Sequence, residues 1–234
     1  MTLVTGASSG IGRETTILLA EAGHAVALVA RGEEQLAQTA RLIEERSGKA
    51  GRALVLPADL GEPEAAGRVV QQAHEQWGRL DAVVHAAGDA PRLSIDQVTP
   101  EVWRRCIDIN LSAAVLLAAA AWPIFQQQRR GVLVNISSMS SIDPFEGFAI
   151  YAAAKVGVNL FTRCAAREGE PWGIRAVTIA PGSVETPMLR RNFPPEMIPP
   201  SRTLSPAAVA EVVRDCVTGQ RTFEPGEVIV LPSP

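Results

Sequence analysis

One phenol and one ammonium group stand four residues apart in this chain. Tyr151, the only tyrosine, opens the segment Tyr-Ala-Ala-Ala-Lys, and Lys155, one of two lysines, closes it. On a helix, side chains at this spacing project from the same face and can act on one reacting group. A tyrosine with an ordinary pKa of about 10 is a poor base at neutral pH, but a positive charge ~4 Å away could lower that pKa to ~7. The pair therefore predicts proton transfer by Tyr151, with its pKa lowered by Lys155.

Ser138 is a third candidate for the same site. It follows an apolar run at 132–136, so its hydroxyl would lie at the carboxyl end of a strand. There it could donate a hydrogen bond to a substrate oxygen that gains charge during a reaction. Serine is also common in ordinary turns, so this assignment depends on the pair formed by Tyr151 and Lys155.

A glycine-rich turn near the N-terminus predicts nucleotide binding. Residues 5–12 read Thr-Gly-Ala-Ser-Ser-Gly-Ile-Gly, between a short apolar run and a segment of helical period. Glycines let the backbone approach a pyrophosphate closely, and the free N–H groups at a helix start attract its charge. Glycines also form ordinary turns, but this position between a strand and a helix favours a nucleotide site. The candidate contacts are Gly6, Ser8, Ser9, Gly10, Ile11 and Gly12.

The residue after the second apolar run indicates which dinucleotide binds. Arg31 stands there, where an acidic residue would hydrogen-bond an unmodified adenosine ribose. A guanidinium pairs with phosphate, so Arg31 favours NADP with NAD possible, unless it is simply a solvated arginine. Asp59, followed by Leu60, could accept from the adenine amino group or serve as a cap or turn residue. The small residues expected to leave room for a coenzyme after the fourth run are Ala87 and Gly88.

Strands and helices that could position these residues alternate along the chain. Apolar runs predict strands at 3–4, 25–29, 53–56, 82–85, 132–136, 175–179 and 227–231. Helical segments are predicted at 13–22, 33–46, 64–77, 101–109, 111–128, 149–168 and 206–217. The alternation predicts a single α/β domain over 1–234, a doubly wound parallel sheet in a Rossmann-like three-layer sandwich. The proline-rich residues 187–205 are predicted to form a substrate lid, or else a surface excursion.

Composition and charge exclude several classes of partner. The chain has 234 residues, a formal charge of -3 and no block of Lys or Arg, so nucleic acid is not an expected partner. The apolar stretch at 111–125 is shorter than the ~20 residues that cross a bilayer, so no membrane is expected. Three scattered cysteines without metal-ligand spacing predict no metal site, and together with the absence of a secretory signal they predict a cytoplasmic protein.

In this order, the motifs resemble those of the short-chain dehydrogenase/reductase family. The resemblance covers nearly the whole chain and is carried by 5–12, 85–88, Asn110, Ser138, Tyr151, Lys155 and 181–182. It implies that Tyr151 is the general acid in reduction and the base in oxidation, and that Ser138 holds the carbonyl. It further implies that Lys155 bonds the nicotinamide ribose and that Asn110 maintains a water-linked proton relay. By its sequence position alone, Asn110 could also be an amide that ends a helix.

The resemblance also implies further contacts and an assembly. Residues expected to hold the nicotinamide half of the coenzyme are Pro181, Gly182, Val184 and Thr186. A homodimer or homotetramer is expected through the helices at 111–128 and 149–168. One departure is His85-Ala86-Ala87-Gly88, where the family usually has Asn-Asn-Ala-Gly. That change removes an amide that often braces neighbouring strands, and His85 itself is interpreted as a packed strand residue.

These observations predict an NADP-dependent oxidoreductase that interconverts a small-molecule ketone and a secondary alcohol. One alternative is a nucleotide-sensing protein that kept the fold and lost turnover, which would predict damaged catalytic positions. A second is an epimerase or dehydratase of a longer related branch that uses the same Tyr/Lys pair. The short chain and the Gly-x-x-x-Gly-x-Gly spacing argue against this second alternative.

Overall fold

Parallel strands form one sheet through the centre of the protein. The computed structural model describes residues 1–48 and 51–234. In these residues the strands are β1 (Thr2–Thr5), β2 (Val26–Ala30), β3 (Ala53–Pro57), β4 (Ala82–His85), β5 (Gly131–Ile136), β6 (Ile174–Pro181) and β7 (Val228–Leu231). Their order is β3-β2-β1-β4-β5-β6-β7, with every neighbouring pair parallel. Successive strands are added in one direction from β1 to β3 and in the other direction from β4 to β7, so the order reverses between β1 and β4, the kind of position at which open α/β sheets bind ligands. This topology confirms the predicted doubly wound fold.

Helices cover both faces of the sheet. They are α1 (Gly10–Glu21), α2 (Glu33–Ser47), α3 (Pro63–Trp77), α4 (Pro100–Ile107), α5 (Ala113–Gln128), α6 (Ala149–Gly169), α7 (Pro187–Asn192) and α8 (Pro206–Thr218). Their ends follow local signals. At the start of α8, for example, the Ser205 hydroxyl accepts from the Ala208 N–H at 3.1 Å, and Gly219 ends the helix at a φ of 83°.

The core has two layers, because neighbouring strand residues point to opposite faces of the sheet. Leu3 is buried with residues of α3 and α5, such as Val69 and Leu117. Val4, the next residue, is buried on the other face with residues of α1 and α8, such as Ile17 and Val213. Burial on both faces explains why the strands read as continuous apolar runs.

The predicted break between helices at Asn110 is wrong. α4 and α5 form one continuous helix, Pro100–Gln128, joined by a π-helical turn at Asp108–Ser112. Asn110 therefore lies within a helix and does not end one. By length and composition alone this helix could cross a membrane, but its inner face, which includes Leu117 and Phe125, is fully buried in the core. A core helix passes the same test of length and hydropathy.

The segment 187–205 contains the short helix α7 and a 3₁₀ turn at Pro200–Arg202. Its prolines prevent a longer helix, as predicted. The far end of the segment is hydrogen-bonded to the loop after β6, because the Leu204 N–H donates to the Ser183 carbonyl at 2.8 Å and the Leu204 carbonyl accepts from the Glu185 N–H at 2.9 Å. That the segment acts as a lid stays a prediction.

Candidate active site

A cleft with a volume of about 720 Å³ follows the carboxyl edge of the sheet. It is lined by every residue predicted from the sequence for the site except Asn110, which is fully buried. We call the end formed by residues 6–12, Arg31, Asp59 and 86–88 the glycine half. The other end contains Phe145, Phe148 and Phe193, three residues that we call the aromatic wall. Ser138, Tyr151 and Lys155 also line the cleft.

The glycine turn is held by contacts that permit no side chain. Gly6 has a φ of 68°, and a Cβ there would lie 2.9 Å from the Ala86 carbonyl group. A Cβ on Gly12 would lie 2.3 Å from the Gly6 oxygen. Ser9 precedes α1 but makes no capping hydrogen bond. The first residues of α1, Gly10 to Gly12, line the cleft, and their N–H groups have no side-chain partner from Ser9, an arrangement that suits a pyrophosphate.

Arg31 lies exposed at the end of β2 and lines the same cleft. Among the described residues, no hydrogen bond or ion pair to its guanidinium is found. Gln35, on the first turn of α2, lines the cleft beside it and was not expected from the sequence. Both side chains could bind a phosphate on the adenosine ribose.

Asp59 is fixed by two partners. Its Oδ1 accepts from the Gly61 N–H at 2.9 Å, and both of its carboxylate oxygens accept from Arg105 Nη2, Oδ1 at 3.1 Å and Oδ2 at 3.0 Å. Partial burial raises the pKa of Asp59, but these hydrogen bonds outweigh burial and lower it overall. Arg105 comes from α4, 46 residues away in sequence, and nothing in the sequence pattern pointed to it.

A buried histidine braces the centre of the site. The Thr5 hydroxyl accepts from the Ala86 and Ala87 N–H groups at 3.1 and 3.0 Å and lies 3.0 Å from His85 Nδ1. His85 Nε2 lies 3.1 Å from the Ile109 carbonyl, so this nitrogen carries the proton and Nδ1 accepts from Thr5. Burial lowers the pKa of His85 to about 3 and keeps the ring neutral. The interpretation of His85 as a packed strand residue agrees with this placement.

Asn110 lies immediately behind the cleft wall. Its Nδ2 donates to the carbonyls of Asp89 at 2.7 Å and Cys106 at 2.9 Å. Its Oδ1 is buried and has no hydrogen-bond partner among the described residues. A Cβ on Gly88 would lie 2.8 Å from this oxygen and 3.7 Å from Lys155 Nζ. An unpaired acceptor and an ammonium group thus converge at Gly88, and a polar group such as water would satisfy both.

Tyr151 and Lys155 lie on α6, as the four-residue spacing predicted. The Lys155 side chain is buried, and its Nζ donates to the Ile136 carbonyl at 2.8 Å. Its Nζ lies 5.5 Å from the centre of the Tyr151 ring. The Ser138 hydroxyl accepts from the Ser140 N–H at 3.1 Å at the start of a 3₁₀ turn, which places Ser138 at the end of β5.

The prediction that Lys155 lowers the pKa of Tyr151 is wrong when only the protein's own groups act on the phenol. Burial raises the pKa of Tyr151 to about 12, although its hydrogen bond with Ser138 acts in the opposite direction. Burial also lowers the pKa of Lys155 to about 8, because the charged form loses solvation. The ammonium is held at a backbone carbonyl over the ring, so its charge does not offset the burial of the phenol.

The loop after β6 closes the cleft opposite α6. Thr186 caps α7, since its hydroxyl accepts from the Leu189 N–H at 3.2 Å. Its methyl group approaches the glycine turn, because a Cβ on Gly10 would lie 2.9 Å from Thr186 Cγ2. Gly182 is pressed against the C-terminal segment, where Ser233 Oγ accepts from the Ser183 N–H at 2.6 Å. No residue pattern in the sequence predicted this role of Ser233.

The family follows from a comparison of the whole chain with known proteins. Residues 1–196 match the family model described as short chain dehydrogenase. The chain belongs to this family. As a short-chain dehydrogenase/reductase it is an oxidoreductase of a family that uses NAD(P), which confirms the resemblance seen in the sequence motifs.

Relatives of this short-chain dehydrogenase/reductase match it over nearly its full length. It is 30% identical over 230 residues to an uncharacterized oxidoreductase of Staphylococcus aureus (strain USA300), covering 98% of this chain and 96% of that protein. It is 31% identical over 233 residues to a 3-oxoacyl-[acyl-carrier-protein] reductase of Thermotoga maritima, covering 97% and 94%.

Solved structures show the same fold. The crystal structure of levodione reductase superposes with a TM-score of 0.92 at 28% identity, covering 99% of this chain and 95% of that one. A 3-ketoacyl-(acyl-carrier-protein) reductase from Brucella melitensis, complexed with NADH, superposes with a TM-score of 0.89 at 26% identity, covering 98% and 95%.

Proposed function

We propose that this protein is an NADP-dependent reductase that interconverts a ketone and a secondary alcohol. The observation that carries the proposal is the convergence of Ser138, Tyr151 and Lys155 on a cleft whose other end is a glycine turn at a helix N-terminus. The coenzyme would supply the hydride, with its two electrons, to the carbonyl carbon. The protein's own residues would handle the oxygen and the proton.

The proton would come from Tyr151. As the carbonyl carbon accepts the hydride, the oxygen gains charge and takes the phenolic proton, while the Ser138 hydroxyl donates a hydrogen bond to the same oxygen. A pKa of about 12 keeps Tyr151 protonated at neutral pH, which supports its use as an acid in ketone reduction. In alcohol oxidation the phenolate is needed, so bound oxidised nicotinamide would have to lower this pKa.

Lys155 and Asn110 would help to return a proton to Tyr151 after each turnover. Lys155 Nζ and Asn110 Oδ1 converge at Gly88, where a ribose hydroxyl and a water molecule would give both groups hydrogen-bond partners. A proton could then pass from solvent toward Tyr151 after each turnover. This relay, implied by the family resemblance, is part of the proposal.

The choice of NADP rests on Arg31. Its exposed guanidinium and Gln35 line the cleft at the end of β2, where the adenosine ribose would lie, and a guanidinium pairs well with a 2′-phosphate. Replacing Arg31 with Asp would put a carboxylate against that phosphate. We expect the dissociation constant of NADPH to rise about tenfold or more while that of NADH changes little. Equal weakening of both coenzymes, measured by fluorescence titration, would remove the basis for NADP preference.

The activity itself can be tested with a carbonyl panel. The purified protein would be incubated with NADPH or NADH and a set of aliphatic, cyclic and aromatic ketones, while the absorbance of the reduced coenzyme is followed. We expect coenzyme oxidation with at least one ketone and faster turnover with NADPH. Coenzyme binding without turnover on any carbonyl would instead favour the nucleotide-sensing alternative.

We also propose that the protein is a cytoplasmic homodimer or homotetramer. The outer face of α6 exposes Val156 and Leu160, which are 49% and 60% accessible, and α5 is apolar over most of its length. Such a face favours association with a second copy. Light scattering would test the assembly.

The proposed cytoplasmic location rests on the cysteines. A reducing cytosol suits Cys106, Cys164 and Cys216, which are free thiols.

A further inference from the structure

The aromatic wall, Phe145, Phe148 and Phe193, is built from two segments that are distant in sequence. Phe148 precedes α6, and Phe193 follows α7 in the proline-rich segment. Their rings stack at 5.7 Å between centroids and 24° between planes. Phe145 meets Phe148 edge-on at 6.2 Å. Phe148 in turn meets the Tyr151 ring edge-on at 6.3 Å, so the wall is continuous with the proposed proton donor.

Part of this wall is open to solvent. Phe148 is 4% exposed and forms the buried base, whereas Phe145 is 52% exposed. Phe193 is partly exposed. All three rings line the cleft that contains Ser138 and Tyr151. An apolar ligand that covered these rings would remove their exposed surface from water.

Two opposite charges that line this end of the cleft compensate each other. Asp89 and Arg191 both line it, and their side chains pair at 3.5 Å. Asn192 also lines it, and its Nδ2 already donates to the Ala90 carbonyl at 3.0 Å. This end of the cleft therefore presents aromatic rings and methylene groups to a substrate. The lining charges Asp89 and Arg191 form one pair, and the Arg92 guanidinium lies against the Phe193 ring and does not line the cleft. This favours an uncharged substrate body.

We propose that the substrate is an uncharged ketone whose carbonyl is part of, or directly attached to, a flat ring. This inference rests on the proposed reductase function. With the carbonyl oxygen at Ser138 and Tyr151, the ring would lie against the aromatic wall, where offset or edge-on ring contacts are favourable. A linear acyl thioester carries additional carbonyl and amide groups, which would lose water against these rings without gaining equivalent partners.

Phe193 is the residue through which the wall can be tested. It lies outside the glycine half and makes no hydrogen bond through its ring. Its ring also contacts the Arg92 guanidinium, 5.1 Å from the ring centre. The chain offers a matched control in Phe223, which has Arg175 at 5.2 Å over its ring and packs against the core outside the cleft.

The experiment compares three carbonyls of different shape. α-Tetralone is a flat ring ketone, butanone is a small acyclic ketone, and the N-acetylcysteamine thioester of acetoacetate is a linear acyl thioester. The values of kcat/KM would be measured for wild type, Phe193→Ala, Phe193→Leu and Phe223→Ala with the preferred coenzyme. Thermal melting and coenzyme titration of each variant would establish that it is folded and binds coenzyme.

The expected result is a loss that depends on the shape of the substrate. In wild type, kcat/KM should be about tenfold higher for α-tetralone than for the thioester. Phe193→Ala should lower the α-tetralone value about tenfold and the butanone value less than about threefold. Phe193→Leu should fall in between, because it keeps an apolar contact but loses the flat face. Phe223→Ala should leave the ratio between substrates unchanged.

Two outcomes would overturn the inference while leaving the reductase function intact. One is a wild-type preference for the linear thioester. The other is an equal loss of α-tetralone and butanone activity in Phe193→Ala. If no carbonyl is reduced with either coenzyme, although coenzyme binds, the proposed function itself fails. The two kinds of failure are therefore distinguishable in one data set.

Discussion

The glycine half and the aromatic wall are built in different ways. The glycine half consists of backbone and very small side chains, and a single added methyl group at Gly12 would collide with the Gly6 carbonyl. The aromatic wall consists of large side chains from two segments, one of them partly exposed and rich in proline. The glycine half therefore tolerates few substitutions, whereas each ring of the aromatic wall can be substituted separately. This difference is the one expected if proteins with the same fold share a coenzyme but differ in their substrates.

The largest expected effect comes from Tyr151, which the cleft places beside Ser138 and next to the aromatic wall. Tyr151→Phe keeps the ring contact with Phe148 but removes the acidic proton. We expect kcat to fall about 10²- to 10⁴-fold, the usual contribution of a positioned general acid. Coenzyme affinity, measured by fluorescence titration, should remain within about twofold. Retained turnover would mean that another group donates the proton.

Gly12→Ala tests the rigidity of the glycine half. The new Cβ would lie 2.3 Å from the Gly6 oxygen, so the turn must move. Because a displacement of about 1 Å can cost about a hundredfold, we expect kcat/KM for the coenzyme to fall by about that factor. Gly67→Ala on α3 is the matched control, since nothing lies within 4 Å of its Cβ position. Equal behaviour of the two variants would show that the glycine turn tolerates side chains.

His85→Ala tests whether the hydrogen bonds of His85 to Thr5 and Ile109, which we call the His85 brace, support the catalytic residues. The change removes the hydrogen bond that the Ile109 carbonyl accepts from His85, and it leaves the Thr5 O–H without its acceptor, although the Thr5 oxygen still accepts from Ala86 and Ala87. We expect the free energy of unfolding to fall by about 1–3 kcal/mol, measured by urea titration, together with a lower kcat because Asn110 follows Ile109. His85→Asn should recover part of both losses.

The matched control for His85→Ala is His24→Ala. His24 makes a similar bond, at 3.0 Å to the Thr2 hydroxyl, but at the opposite end of β1 from the cleft. Its loss should leave kcat unchanged. A drop in kcat as large as that of His85→Ala would assign the effect to general destabilisation.

The smallest effect concerns the buried charge of Lys155. Its pKa in the folded protein is about 8, below the 10.5 of an ordinary lysine, so the unfolded chain binds more protons between these values. The free energy of unfolding of wild type should therefore rise with pH relative to Lys155→Met, by about 1 kcal/mol from pH 8 to pH 9. The comparison with Lys155→Met cancels the contribution of other groups, such as the thiols. A constant difference would show that Lys155 is not a buried ammonium.

Much of the site could be predicted from the sequence because its determinants are local. The glycine turn depends on spacing within eight residues, and the pair on α6 depends on the repeat of one helix. The break at Asn110 was predicted wrongly, since the signal for helix continuation through a π turn lies in packing and not in residue type. The lowered pKa of Tyr151 was also predicted wrongly, because a charge spacing contains no information about burial.

The amino-acid sequence by itself determined the alternation of strands and helices, the glycine turn and the residues available for proton transfer, since each depends on neighbours within a turn or a strand. Only the tertiary structure decided which distant side chains share the site: Arg105 on Asp59, His85 on Ile109, Ser233 on the loop after β6, and Phe193 on Phe148. These contacts join segments that are far apart in the chain. Their formation depends on how whole elements pack, which no local pattern encodes.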